Sequence, residues 1–368
     1  MEQTFGLVGN PSSPHSEGRA SAQAVQKARA QVAALIGARS EEVIFTSSGT
    51  EANAAVLTGL AKAAEQKGKQ IIVSSIEHLS ILQTERRMEK EGWRITLLPV
   101  DRTGRIEPDS VEKALTPETA LVSIQWANAE VGTIQPIAEI SRRVKAKGVL
   151  FHTDAVAAAG QVPIDLKAVP VDALSLAANT FGGPAGVGAL VIRKGIRFLP
   201  FLVGGAQEEG RRAGTENLMG IVGLGAAAAV ASRELPALAQ RLTSLRDRLV
   251  RGILDGIPGS AFNGHPSERL PGHASFSFPG VDAEALVLSL DLEGITVGLG
   301  SACSSRAVKA SHVLKAMGIE DSSALGTITC TLGLRTTEME IAKVLEVLPR
   351  VVAGQRARER QTPVSVTR

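Results

Sequence analysis

Glu42-Val43-Ile44-Phe45-Thr46-Ser47-Ser48-Gly49-Thr50-Glu51-Ala52-Asn53 is the stretch from which the rest of the chain is read. Glu42 to Thr46 is β-branched and aromatic and predicts a strand. Ser47-Ser48-Gly49 is a small polar turn, and helical spacing of apolar residues begins at Glu51 and runs to Gln66. Strand, tight turn and helix in succession make half of a βαβ unit. The same texture recurs at 71–74, 95–100, 120–124, 149–152, 173–176 and 188–192, each a short β-rich run. Helical patterns lie between most of them: Val25, Ala28, Val32, Leu35 and Ile36 share one face of 22–36, and 137–147 reads the same way. Strands alternating with helices predict an α/β fold around a mostly parallel sheet covered on both faces. The glycine-rich loop 182–188 feeds a last strand that reads as an antiparallel return.

The chain has 368 residues, more than one core usually supports, so two lobes are expected. Past Gly204-Gly205 the texture changes to a long helix over 218–249, then Phe276-Ser277-Phe278-Pro279-Gly280. A helix over 282–290, a strand near 295–297, a Gly/Ser loop around Cys303 and a closing helix over 339–352 follow, with a polar, fraying tail from Gly354. The expected division is a large α/β domain over 1–235 and a small α+β domain over 236–368 carrying Cys303. With 44% hydrophobic and 21% charged residues, the chain is not of the disordered class. A net charge of +3 with 9 Phe, 2 Trp and no Tyr argues against nucleic acid as a partner. No apolar run approaches the ~20 residues of a membrane span, and no secretory signal is visible at the start. Two cysteines, Cys303 and Cys330, exclude a disulfide framework or a cysteine-built metal site and suggest the cytoplasm.

Five constellations carry chemistry, one of them Gly204-Gly205-Ala206-Gln207-Glu208 with 211–217, polar groups around glycines that read as a surface loop or as a loop facing a cofactor or a second subunit. Ser47 to Asn53 puts N–H groups and hydroxyls at a helix start, either an anion site or an ordinary cap. Phe151-His152-Thr153-Asp154-Ala155 leaves an aspartate at the carboxyl end of a strand, able to pair with a protonated ring nitrogen or to cap a helix. Glu77-His78 also follows a strand, where a histidine can stack on a ring, move protons or serve structure alone. Gly300-Ser301-Ala302-Cys303-Ser304-Ser305 sets a cysteine among small residues near Arg306 and Lys309, a setting that favours a thiolate. Cys330, in the strand-like run 327–332, reads as a packed core residue.

In order, these segments resemble the cysteine desulfurases of the class V aminotransferase group, of the nitrogenase and iron–sulfur-cluster type. The resemblance runs from Gly9-Asn10-Pro11 to Ile341 and includes 127–137, His152-Thr153-Asp154-Ala155, and Arg212-Ala213-Gly214-Thr215-Glu216-Asn217. It implies a fold-type I pyridoxal-phosphate transferase fold, a seven-stranded mixed sheet and a homodimer. It further implies sulfur taken from L-cysteine and passed on a cysteine persulfide to an acceptor or cluster-scaffold protein. By that resemblance Gly49 and Thr50 face the cofactor phosphate, His78 stacks on the ring, Asp154 pairs with the ring nitrogen, Thr215 reaches a phosphate across the dimer, and Cys303 carries the persulfide.

Six positions depart from the family's pattern. The string that bears the Schiff-base lysine reads Ala177-Ala178-Asn179-Thr180-Phe181-Gly182-Gly183-Pro184 here, so Thr180 replaces the lysine, Asn179 its neighbouring histidine and Ala177 a phosphate-side serine. Ala129 and Ala157 replace an asparagine and a glutamine at the ring, and Thr329 the arginine that grips the substrate carboxylate. The family's upstream Asp-x-Ala-Ala-Thr-Thr segment has no counterpart before Gly9. A hydroxyl forms no stable imine with an aldehyde, and Lys167 and Lys194 lie outside the motif. The expectation is therefore a desulfurase-like protein with a degenerate, non-covalent pyridoxal phosphate site. Three readings stay open: a working enzyme, a persulfide relay through Cys303, and an inactive scaffold or heterodimer partner.

Overall fold

The computed structural model describes residues 6–300 and 310–361, and the chain falls into two compact units. The first comprises the residues up to Pro99, Ile106–Ala127 and Gln135–Pro236; the second comprises Val100–Arg105, Asn128–Ile134 and the residues from Ala237 on.

The first unit is built on seven strands: β1 (Val43–Thr46), β2 (Gln70–Ser74), β3 (Arg94–Leu98), β4 (Thr119–Ser123), β5 (Leu150–Asp154), β6 (Ala173–Ala177) and β7 (Gly188–Ile192). Each lies within two residues of a run singled out in the sequence. Their order is β1-β7-β6-β5-β4-β2-β3, and only the two pairings of β7 are antiparallel. The strands are buried along their length except for half-buried Leu150 at the start of β5 and for β3, an edge strand whose Arg94 and Leu97 face solvent. Burial on both faces explains why these strands read as continuous apolar runs. Helices α1 (Ser16–Ile36), α2 (Gly49–Ala63), α3 (Leu79–Lys90), α4 (Pro108–Ala114) and α5 (Ile137–Ala146) belong to the same unit. α1 starts six residues before the expected helix, because His15 caps it by accepting the Gly18 N–H at 3.2 Å.

β1 is also an edge strand, yet it is fully buried. Its antiparallel partner β7 uses alternate residues, which leaves Val43 C=O and Phe45 N–H facing outward. Arg29 donates to the Val43 carbonyl at 2.7 Å, and Glu208 accepts the Phe45 N–H at 3.0 Å. Two side chains thus close an open sheet edge.

Helix α6 (Leu218–Gly256) runs on past the expected end and contains Pro236, at which the two units part. By length and composition alone it is long and apolar enough to cross a membrane. Its Ile221, Leu224, Ala228, Leu242 and Leu249 are instead buried in protein.

The second unit holds β8 (Ala261–Asn263), β9 (His273–Ser277), β10 (Gly298–Leu299) and β11 (Thr327–Thr331), antiparallel in the order β10-β11-β9-β8. Helices α7 (Ala283–Leu292), α8 (His312–Ala316), α9 (Asp321–Ala324) and α10 (Glu338–Gln361) complete it. The core gathers Phe276, Phe278, Leu286, Leu290, Ile328, Val347 and Leu348. The strand expected near 295–297 is the short β10 instead. Residues 354–361, expected to be part of a fraying tail, continue α10, where Arg356 donates to Pro258 O at 2.7 Å and Pro279 O at 3.1 Å. Two segments assigned to 1–235 group with this unit. Thr133 donates to Thr103 O, Leu270 N–H to Gly132 O and Arg269 to Val131 O. Gly132, at φ +80, could not be replaced freely, since a Cβ there would lie 2.9 Å from the His273 ring.

His152, on β5, is buried between Ser123 Oγ at 2.8 Å and Ser175 Oγ at 3.0 Å, and burial pushes its pKa down to about 3. The unfolded ring titrates near ~6.5, so its contribution is fully present above that pH and is lost toward 3, at about 1.4 kcal/mol per unit. His152→Gln cannot titrate. Its urea-unfolding deficit against the natural protein should shrink by that slope from about pH 6.5 to about pH 4.5. A deficit independent of pH would contradict the assignment.

Candidate functional site

The candidate site lies at the carboxyl ends of β1, β2, β5 and β6, where open α/β sheets bind ligands. At β1, Ser48 caps α2 by accepting the Glu51 N–H at 3.1 Å, and Glu51 accepts the Ser47 N–H at 2.7 Å, a reciprocal cap. Arg212 grips Glu51 through Nε at 2.8 Å and Nη2 at 3.1 Å. Burial opposes the Glu51 charge, but Arg212 and Ser47 outweigh it, and the carboxyl sits below its usual range. Ala52 N–H bonds to Ser48 O, so the N–H groups of Gly49 and Thr50 and the exposed Thr50 hydroxyl remain to meet an anion. Gly49 must be glycine: a Cβ would stand 2.6 Å from Val156 and 3.5 Å from Ala177. Ala177 is buried beneath this turn and Ala157 is half-buried beyond it.

At β5, Asp154 is buried, with Oδ1 accepting the Val156 N–H at 2.9 Å and Oδ2 accepting from Asn53 Nδ2 at 2.7 Å. The other Asn53 proton goes to Ser80 Oγ at 2.9 Å. That leaves the Ser80 hydroxyl proton for His78 Nδ1 at 2.8 Å, which also takes the Ser80 N–H at 3.1 Å. With Nδ1 an acceptor, neutral His78 carries its proton on Nε2, on an exposed ring. A continuous hydrogen-bonded path thus joins Asp154 to His78. Burial pushes Asp154 above the usual carboxylate range. Burial and the nearby Asp154 charge push Glu77 up to about 8, although it accepts from Ser74 Oγ and Gln125 N–H. Two buried carboxyls so close do not both ionise unless a cation joins them. Asn53 and Ser80 had no role in the sequence reading. The available signal was spacing: Asn53 lies one helical turn beyond Gly49, and Ser80 two residues beyond His78.

At β6, Thr180 lies on the 3-10 turn Ala178–Phe181; its hydroxyl donates to Ala177 O at 3.0 Å, and its carbonyl accepts from Gln161 at 3.1 Å. Asn179 is exposed. Pairing of Ala177 with Gly188 and Ala173 with Ile192 places Lys194 at the far end of the strand, roughly 16 Å of backbone from Thr180. Lys167 precedes β6 in the chain and is not on the turn that follows it. Thr215 is exposed on the loop that carries Arg212.

Ala129 and Thr329 belong to the second unit. Asn128 Oδ1 accepts the N–H groups of Glu130 and Val131, which leaves Ala129 exposed at the bend. Thr329 is buried, and its hydroxyl donates to Glu130 O at 3.3 Å. Glu130 accepts from Ser311 Oγ, and burial pushes its carboxyl up to about 7. Cys330 is buried, its thiol pushed up to about 12. Cys303 lies outside the described residues. Among the described residues, no group of three His, Cys, Asp or Glu side chains could hold a metal ion.

Residues 2–344 match the class-V aminotransferase family. The cysteine desulfurase IscS of Dictyoglomus turgidum is 47% identical over 344 residues, covering 94% of this chain and 87% of that protein. A solved NifS-like protein superposes with a TM-score of 0.89 at 35% identity, covering 96% of this chain and 94% of the other. The solved complex of SspA with cysteine superposes at 0.78 with 31% identity, covering 90% and 92%. The first unit's residues suit two ends of pyridoxal phosphate. The buried Asp154 suits a protonated ring nitrogen, and the open N–H groups of the α2 turn suit a phosphate. The β6 turn, 178–184, offers no amine to its aldehyde. The chain therefore belongs to the class-V aminotransferase family, whose members use pyridoxal phosphate, and stands among its IscS- and NifS-like cysteine desulfurases.

Proposed function

We propose that this chain is a sulfur-transfer protein of iron–sulfur cluster assembly, with a pyridoxal phosphate site that has no covalent tether and a persulfide carried on Cys303. The observation that carries this reading is a buried Asp154, wired through Asn53 and Ser80 to His78, beside a β6 turn holding Thr180. Asp154 would hold the ring nitrogen, Gly49 and Thr50 the phosphate, and His78 the ring face, with Thr215 serving a phosphate in a homodimer partner. The cofactor, when bound, supplies an electron sink for an amino acid joined to it. Thr180 supplies no amine to anchor it or to move a proton. Thr329 has no planar, bidentate group of the kind that grips a carboxylate, and Ala129 and Ala157 carry only methyl groups.

On this reading turnover of L-cysteine is impaired, and sulfur arrives from a donor persulfide. The Cys303 thiolate attacks the donor's outer sulfur, the S–S bond of the donor breaks, and the donor leaves as a thiolate with no net oxidation. An acceptor or cluster-scaffold protein then takes the sulfur by the same exchange. Leu199, Phe201, Leu202 and Val203, all exposed, give the first unit an apolar strip suited to a dimer interface. The cytoplasm is the compartment that suits such thiol exchange. A second reading, a catalytically inactive homologue acting as scaffold or heterodimer partner, is favoured by Thr180 and Thr329.

Asp154→Asn should weaken binding of pyridoxal phosphate roughly tenfold to a hundredfold, followed by fluorescence titration, because a charge-assisted bond to the ring is lost. Unchanged affinity would remove Asp154 from the site. Under native conditions iodoacetamide should label Cys303 well before Cys330, whose buried thiol is held protonated. Equal or slower labelling of Cys303 would overturn the sulfur-carrying reading and favour the scaffold.

A further inference from the structure

We propose that Arg29 and Glu208 are positioning residues for the phosphate end of the site, which rests on the reading of the Gly49–Thr50 turn as the phosphate site. Their pair is bidentate: Arg29 Nη1 reaches Glu208 Oε2 at 2.7 Å and Nη2 reaches Oε1 at 2.8 Å. The side chains are 10% and 2% exposed, which takes the pair out of the class of surface ion pairs that contribute little. The guanidinium lies 4.7 Å from the Phe45 ring centroid. The same two side chains bond Val43 O and Phe45 N–H, the outward groups of β1, so the pair is fastened to the strand that leads into the anion turn.

The backbone around Glu208 shows what that fastening achieves. Glu208 and Glu209 have φ of +48 and +58, a left-handed conformation that side-chain-bearing residues rarely adopt. Two such residues in succession persist only where their surroundings over-determine them. Here the determinant is the Glu208 carboxylate, drawn down onto the sheet edge. The turn sends the chain back along the sheet edge. Arg211 donates to Glu41 O at 3.0 Å, and Arg212 closes on Glu51. Glu51 holds the Ser47 N–H and so shapes the turn from below. The loop 204–217 and the turn 47–51 are therefore clamped to each other at both ends, by Glu208 on β1 and by Arg212 on α2. Without the Arg29–Glu208 pair the two left-handed residues relax, Arg212 leaves Glu51, and the turn that presents Gly49 and Thr50 loosens. Neither Arg29 nor Glu208 touches the anion; both act through Arg212 and Glu51.

The test uses the full chain as Glu208→Gln and as the double variant Arg29→Met/Glu208→Leu. The double variant removes both charges together and so avoids leaving a buried charge unpaired. Pyridoxal phosphate and pyridoxal are titrated against each protein, and hydrogen exchange is followed by mass spectrometry. The natural protein should prefer the phosphorylated form. Both variants should lose about tenfold of that preference while pyridoxal binding stays put, the effect expected when preorganisation is lost at one end of a site. Exchange should rise in 204–217 and in 47–53 together. A folded double variant with the natural preference intact overturns the proposal. A natural protein with no preference for phosphate overturns the phosphate site itself, and a preference lost together with pyridoxal binding shows a general collapse and also overturns the positioning role.

Discussion

Asp154 is a carboxylate buried at the end of β5, the middle strand of seven, and the candidate site is organised around the difficulty of keeping it there. Water is excluded, so its charge must be met by hydrogen bonds and by a cation. Two donors are in place, Val156 N–H and Asn53 Nδ2. Both follow from the topology: the chain turns sharply after β5, and α2 lays Asn53 across the sheet from β1. The cation is what a protonated ring nitrogen supplies. Glu77, also buried, has its carboxyl pushed up to about 8, chiefly by the same loss of water.

The same constraint accounts for His78. Its ring orientation is fixed by Ser80, whose hydroxyl is in turn oriented by the proton that Asn53 does not spend on Asp154. A histidine that reads in the sequence as one of several possibilities is thereby given one tautomer and an outward Nε2–H. On the phosphate side, Glu51, Arg212, Glu208 and Arg29 form a second polar system in the same unit, and it closes the edge of β1 as it shapes the turn. The groups proposed for the two ends of one cofactor are thus built by separate devices that share only the sheet.

The sheet was legible because strands buried on both faces appear as short apolar runs, and the last antiparallel strand because glycines precede it. Asp154, His78, Gly49 and Thr50 were legible because each follows a strand in a small or polar turn. The roles of Asn53, Ser80, Glu208 and Arg29 were harder to see, since the bonds Asn53–Ser80 and Arg29–Glu208 span 27 and 179 residues and only short spacings to Gly49 and His78 hinted at the first two. The places of 100–105 and 128–134 in the second unit were hidden for the same reason: backbone bonds to Leu270 and Arg269 decide them. α10 was cut short at its polar end, where long arginine side chains hold the helix, and composition alone reads as fraying.

On the proposed reading the site holds its cofactor at both ends and not in the middle, because Thr180 stands on the β6 turn and Lys194 lies beyond the far end of the strand. The direct measurement is intact-mass analysis after borohydride reduction of the protein saturated with pyridoxal phosphate, paired with equilibrium dialysis before reduction. On that reading, saturable binding in dialysis and no stoichiometric mass increase after reduction are expected. A single pyridoxyl adduct on one lysine would contradict it, and so would a protein that binds no pyridoxal phosphate at all.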